Sequence, residues 1–217
     1  CQGGFITFTS NGHPRRVALT RIHLEEDAAK LTHHPAKGEG YSLVDVNRSG
    51  MPLMEVVSEP DLQSSDEARS YLVQLRSILR YLGTSTGNME DGSFRCDANI
   101  SLRPAGDTRL PDSKVEIKNL NSFRSVHKAI EYEIQRQQTL LEAGRRVPQE
   151  TRGWAEDKSI TFSQRTKEHA HDYRYFPEPD LPPLVIDATF IDELQSRLPE
   201  LPDEKMIRFM NQYHLTH

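Results

Sequence analysis

Five acidic residues interrupt stretches that otherwise read as β-strands: Glu25 and Glu26 in RIHLEED, Glu55 in PLMEVV, Asp97 in RCDANIS and Glu116 in KVEIKN. Strand positions are ordinarily filled by β-branched, aromatic or mixed polar residues, so acids recurring there call for a reason. Carboxylates converging from neighbouring strands would supply hard oxygen ligands, the kind that hold magnesium and, with it, phosphate groups. Their basic neighbours fit the same chemistry. Arg95 flanks Asp97, and Lys114 and Lys118 flank Glu116, each at a two-residue step that puts the cation on the acid's own strand face. Such cations could neutralise a transferring phosphoryl group whose oxygens a metal bridges. An outward carboxylate paired with a surface base is the commoner arrangement, and the residues alone leave both readings open.

Other chemistries are less well supplied. No Gly-rich loop ends in Gly-Lys-Ser/Thr and no dinucleotide fingerprint follows a strand, so a nucleotide site would have to be built on a sheet face. His23, His127, His169 and His171 invite a metal reading, yet none pairs with Cys or a second His at ligand spacing on a helix. The absence of a Gly-x-Ser-x-Gly elbow and of a located Cys/His nucleophile argues against a covalent hydrolase. Tyr173, Arg174, Tyr175 and Phe176 form a cluster able to stack on an unpaired base or a ribose, or equally to seal a core beneath a loop.

The elements that must position these residues follow from periodicity and punctuation. A hairpin is expected over residues 1–31, turning at Asn11-Gly12. Two further extended runs, YSLVDVN and PLMEVVSE, flank the turn RSGMP. Ser64 or Ser65 caps a helix in which Ala68, Leu72, Leu75 and Leu79 share a face and Gly83 supplies the stop. In SFRCDANISLRP, Cys96, Ala98, Ile100 and Leu102 alternate with polar residues, which predicts a half-buried strand, and KVEIKN predicts another. A long helix over 122–143 carries the stripe Phe123, Val126, Ile130, Ile134 and Leu141. Short strands are expected at VPQETRGW and SITFSQR, then an ordered proline-rich loop, HDYRYFPEPDLPPLVI, ending in a short strand. Two helices close the chain. The pattern predicts an α+β fold, a mainly antiparallel sheet with covering helices, dividing into a domain over 1–187 and the start of a helical domain over 188–217.

Composition narrows the function classes. A chain of 217 residues with 35% hydrophobic residues can bury a core, and a formal net charge of -5 excludes a general polyanion binder while leaving room for local basic patches. Two cysteines, Cys1 and Cys96, make neither a disulfide framework nor a closed thiolate zinc site, which fits a reducing compartment. No apolar run reaches membrane-spanning length and the start lacks a signal-peptide pattern, so a soluble intracellular protein is expected. The missing initiator Met suggests a piece of something longer.

The segments RIHLEEDAAK, SLVDVNRSGMPLMEVVSEPD, LRSILRYLG, GNMEDGSFRCDANISLRP, KVEIKNLNSFRSVHKAIEYEIQRQ, QETRGW and HDYRYFPEPDLPPL together resemble the B-subunit family of glutamyl/aspartyl-tRNA amidotransferases, in that family's order and over most of the chain. The resemblance implies a carbon–nitrogen ligase with glutamine as nitrogen donor, which corrects misacylated tRNA. The B subunit would bind the acceptor end of Glu-tRNA(Gln) or Asp-tRNA(Asn) and use Mg-ATP to phosphorylate the side-chain carboxylate. Ammonia from the amidase A subunit would then displace phosphate, and a small C subunit would hold the other two together. It implies ATP and magnesium as cofactors, a cradle domain similar in fold to glutamine synthetase and guanidino kinases, and a cytoplasmic location, or the mitochondrial matrix in a eukaryote. No membrane is implied.

Carried over by motif, Glu26, Glu55, Asp97 and Glu116 are candidate metal ligands, Glu26, Asp97 and Glu116 catalytic candidates, and Arg95, Lys114 and Lys118 candidate phosphate partners. Glu25 is the alternative to Glu26, because strand parity places it beside Arg21 and His23. Ala29 stands where the family commonly has Gly. The resemblance also implies that the family's opening strand with a Glu-x-His pair, cysteines of a zinc site, most of a helical domain and a tail domain lie outside this chain, so that it would be inactive alone. A non-catalytic scaffold for tRNA docking and subunit assembly is the competing reading.

Overall fold

The computed structural model describes residues 3–34, 40–166, 179–180 and 182–216. They form four helices and nine strands, an α+β arrangement in two compact units, Cys1–Gln63 and Ser64–His217. The boundary expected at 187/188 falls inside the second unit.

The first unit is all β. Strands β1 (Phe5–Ser10) and β2 (His13–Glu26) form an antiparallel hairpin whose two-residue loop, Asn11-Gly12, has positive φ at both positions (50° and 78°), the geometry that matches the twist of paired strands. Ile6, Phe8, Val17 and Leu19 are buried on one face. A bulge between Leu19 and Arg21 interrupts the pairing of β2 with β5 (Pro52–Ser58), so the sheet order is β1-β2-β5. Strands β3 (Lys30–His34) and β4 (Tyr41–Asp45) pair only with each other, as a separate antiparallel ribbon with Leu31, Tyr41, Leu43 and Val44 exposed. The two runs flanking RSGMP are therefore not partners: β4 joins β3, and β5 returns to β2.

The second unit packs helices on a four-stranded sheet ordered β6-β7-β8-β9. Helix α1 (Ser65–Tyr81) starts at Ser64, whose hydroxyl accepts the Glu67 amide, and packs against α2 (Phe123–Glu142), capped in the same way by Ser122 from the Ser125 amide. Strands β6 (Ala98–Ile100) and β7 (Val115–Lys118) are antiparallel. β7 and β8 (Glu150–Ala155) are parallel and joined through α2, and β9 (Ile160–Thr166) closes the sheet antiparallel to β8. One strand–helix–strand crossover thus sits inside a mainly antiparallel architecture. Val115 and Ile117 are fully buried beneath α2, each stabilising the fold by about 1.5–3 kcal/mol.

Three local expectations change. In SFRCDANISLRP only Ala98–Ile100 is ladder-paired, because β7 is four residues long, although burial still alternates: Phe94 and Ile100 are buried and Arg95, Asp97 and Asn99 exposed. Residues 182–187, the described stretch directly before α3, form no strand; Pro182 and Pro183 remove two amide donors, and Leu184, Val185 and Ile186 are exposed. In the second half of α2 the buried stripe is polar rather than apolar. Glu133 and Gln137 are fully buried, whereas Leu141 is exposed.

The reason is ionic. Arg136 donates to both oxygens of Glu133 at 2.9 and 2.6 Å, Gln137 adds a bond at 2.9 Å and Thr161 one at 3.2 Å, while Arg152 donates to Glu150 at 2.8 Å and to the Thr161 hydroxyl and carbonyl, each at 2.8 Å. Two acids and two arginines neutralise one another beneath the sheet. Helices α3 (Ala188–Arg197) and α4 (Pro202–Tyr213) end the chain and bury no residue fully. Among the described residues no helix is long and apolar enough to cross a membrane.

Candidate functional site

The acids fall into two groups, one in each unit. In the first, β2 and β5 run antiparallel with His23 directly opposite Glu55, and Glu25 lies two residues along on the same face. His23 Nε2 is 2.7 Å from Glu25 Oε1 and 2.8 Å from Glu55 Oε2, and one ligand atom from each of the three lies within 4.8 Å of the others. All three side chains are partly open to solvent.

Strand alternation decides which acid belongs here. Through the continuous alternation of β5, Leu19 shares a face with Ser58, Val56, Ile22 and Glu26, while Arg21, His23 and Glu25 share the other with Val57 and Glu55. The extra residue inverts the strand's parity midway. Beyond it the alternation is regular, so Glu25 keeps step with His23 and Glu26, opposite Pro52, takes the other face. Ligand spacing along the sequence does not single out His23, because no second His or Cys accompanies it; the His-x-Glu step facing a Glu across the ladder is the signal that finds it.

In the second unit Asp97, Glu116 and Lys118 come together. The Lys118 ammonium donates to Asp97 and lies 3.4 Å from Glu116 Oε1, and the buried Thr151 hydroxyl donates to Glu116 Oε2 at 3.0 Å. Burial alone would push the Lys118 amine down, but the hydrogen bond and charge of Asp97, with Glu116 behind them, carry it above its ordinary value, so it is held as a cation. Local backbone geometry supports this. Asn119, directly after Lys118, takes a left-handed φ of 65° and donates to the Trp154 carbonyl at 3.2 Å, turning the chain out of β7 towards α2. Arg95 donates to the Gly92 carbonyl at 3.4 Å, and Lys114 stands exposed just before β7, outside the Asp97–Lys118–Glu116 set.

Cys96, on the inner side of this segment, is no nucleophile: burial, then the Asp97 charge, pushes its thiol up to about 12. His169, His171 and the aromatic cluster Tyr173, Arg174, Tyr175 and Phe176 lie outside the described residues.

The donor set of the first group, one imidazole nitrogen and two carboxylates, suits a divalent cation that accepts oxygen and nitrogen. The second group pairs a fixed cation with a surplus carboxylate, an arrangement able to meet phosphate oxygens or their counter-ion.

Comparison with known proteins matches residues 1–192 to the model of the GatB/GatE catalytic domain. The chain is 57% identical over 217 residues to the B subunit of the aspartyl/glutamyl-tRNA(Asn/Gln) amidotransferase from Dehalococcoides mccartyi strain CBDB1, covering 100% of this chain and 44% of that protein. It is 55% identical over 216 residues to the protein of the same name from Thermomicrobium roseum, and 54% identical over 213 residues to that of Moorella thermoacetica, again covering 44% of each. The chain thus spans less than half the length of these relatives.

Proposed function

The chain belongs to the family of GatB/GatE catalytic domains, and from that premise we propose that it forms the carboxylate-activating part of a tRNA-dependent amidotransferase. The substrate is Glu-tRNA(Gln), Asp-tRNA(Asn) or both, bound by the acceptor end. The side-chain carboxylate of the attached amino acid takes the γ-phosphoryl group of ATP, and ammonia then displaces phosphate from the acyl phosphate to give the amide. A carboxylate is a poor acyl donor until it carries a leaving group, and making that phosphate needs positive charge rather than a protein nucleophile.

His23, Glu25 and Glu55 would hold magnesium, which when bound neutralises charge on the phosphate oxygens. Within the second unit, Lys118 offers a fixed ammonium to phosphate oxygens, kept protonated and oriented by Asp97 and Glu116. Arg95 and Lys114, exposed and outside that set, would be further cations for phosphate oxygens or the tRNA backbone. The fold reads as the cradle type that carries Mg-ATP on an antiparallel sheet. The partners are an amidase A subunit that releases ammonia from glutamine and a small C subunit, working in the cytoplasm, where translation consumes the product.

The observation that carries this reading is the convergence of His23, Glu25 and Glu55 within 4.8 Å on one strand face. In the complete enzyme, Glu55→Gln should lower tRNA-dependent ADP formation at least about 100-fold, because losing a metal ligand exceeds the loss of an outer-shell partner. Binding of the misacylated tRNA should change less than about twofold, on the same metal-specific reasoning. Wild-type ADP formation from that variant would overturn the assignment and favour a docking scaffold.

A further inference from the structure

One cross-strand line on the second unit's sheet remains without a role. Lys118 pairs with Gly153 across β7 and β8, and Gly153 pairs with Phe162 across β8 and β9, so the three positions share a face with Glu116 and Thr151. Gly153 does not have a positive φ, so its backbone does not demand glycine. Space does. A Cβ there would stand 2.5 Å from the Gln164 side-chain Nε2, 2.7 Å from Phe162 Cζ and 3.0 Å from Cε1, so the ring edge and the Gln164 amide both lie over the Gly153 backbone. The ring is nevertheless 44% exposed.

The line therefore reads, across the sheet, as an acid-held cation and then an aromatic ring whose edge reaches over the intervening glycine. Phe162 lies two strand spacings from Lys118, about 10 Å. An aromatic laid over a strand glycine protects the backbone there, but that purpose does not explain why so large a face stays open beside a charged row. A planar, weakly polar group joined to an anion of about this reach would use both ends.

We propose that Phe162, seated on Gly153, is the platform on which the purine ring of the nucleoside triphosphate stacks, with the phosphates directed towards Lys118. This rests on the ATP-dependent reading above and deepens it by assigning the base's position. Stacking on an aromatic face is tolerant of base identity, so the site favours a purine by area rather than by hydrogen-bond readout.

The test uses the complete enzyme with magnesium and compares binding of ATP with that of inorganic triphosphate, which has no base. Phe162→Ala should weaken ATP about tenfold, within the range that loss of a base–aromatic stack produces, and leave triphosphate unchanged. Phe162→Tyr should restore ATP. Gly153→Ala, whose methyl must push aside the Gln164 amide and the ring, should weaken ATP and leave triphosphate unchanged, whereas Gln164→Ala alone should change neither. Wild-type ATP affinity in Phe162→Ala, or equal losses for ATP and triphosphate, overturns the platform while leaving the ATP-dependent reading intact. A loss confined to an RNA ending in adenosine, with ATP unchanged, also overturns it. If the wild-type enzyme binds neither ATP nor triphosphate, the parent reading fails and takes the platform with it.

Discussion

Replacing Arg152 with methionine tests the ionic network under the sheet. Arg152 is 12% exposed and donates three bonds, to Glu150 and to the hydroxyl and carbonyl of Thr161, each at 2.8 Å, while its Nε lies 3.7 Å from the fully buried Glu133. Methionine keeps much of the volume and removes the charge. Glu133 retains the two bonds from Arg136, but Glu150 is left with Arg136, at 3.5 Å, as its ionic partner. Orphaning one partner of a buried pair costs on the order of 3–5 kcal/mol. For a chain of this size that corresponds to a melting point lower by about 10 °C. The fluorescence of Trp154, the chain's one tryptophan, which is 2% exposed and adjoins the network, reports the transition. Adding Glu150→Gln, which removes the orphaned charge, should recover part of the loss. Unfolding of Arg152→Met within about 1 kcal/mol of wild type would refute the claim that these charges are mutually dependent.

Three further outcomes are expected. Burial alone would raise the Glu150 carboxyl, but bonds from Ser163 and Arg152 and the charges of Arg152 and Arg136 carry it below its ordinary 4.5. Its contribution is therefore complete above pH 4.5 and lost as the pH falls through the lower folded value, so acid unfolding of wild type should steepen there and flatten in Arg152→Met. Cys96, pushed up to about 12 from an ordinary 9.0, should react with a maleimide at neutral pH far more slowly than a free thiol, its thiolate fraction being about a thousandfold smaller; rapid labelling of the folded protein would contradict this. Asp97→Asn in the complete enzyme should leave tRNA binding nearly intact but stop ATP-dependent phosphorylation, read as phosphate transferred to the aminoacyl group.

Much of this was legible in the sequence, for local reasons. Asn11-Gly12 announces its hairpin, the Ser64/Ser65 pair the start of the first helix, and the alternation in SFRCDANISLRP persists in burial beyond the three paired residues. What was hidden depends on partners distant in sequence. No periodicity reveals that β5 pairs with β2 and not with β4, because both pairings satisfy the same turn. The bulge at Leu19/Arg21 is likewise invisible, although the two-residue step that sets Glu25 and not Glu26 beside His23 lies beyond it and is legible as strand parity. Glu133 and Gln137 look like a solvated helix face until Arg152 arrives from β8 to meet them.

The proposal that His23, Glu25 and Glu55 together hold a divalent cation is tested most plainly by direct titration of the protein with Mn²⁺, followed by loss of the free-ion paramagnetic signal. One tight site is expected in wild type, lost in Glu25→Gln and in Glu55→Gln and kept in Glu26→Gln, since Glu26 occupies the opposite strand face. Loss of the site in Glu26→Gln with retention in Glu25→Gln would contradict it.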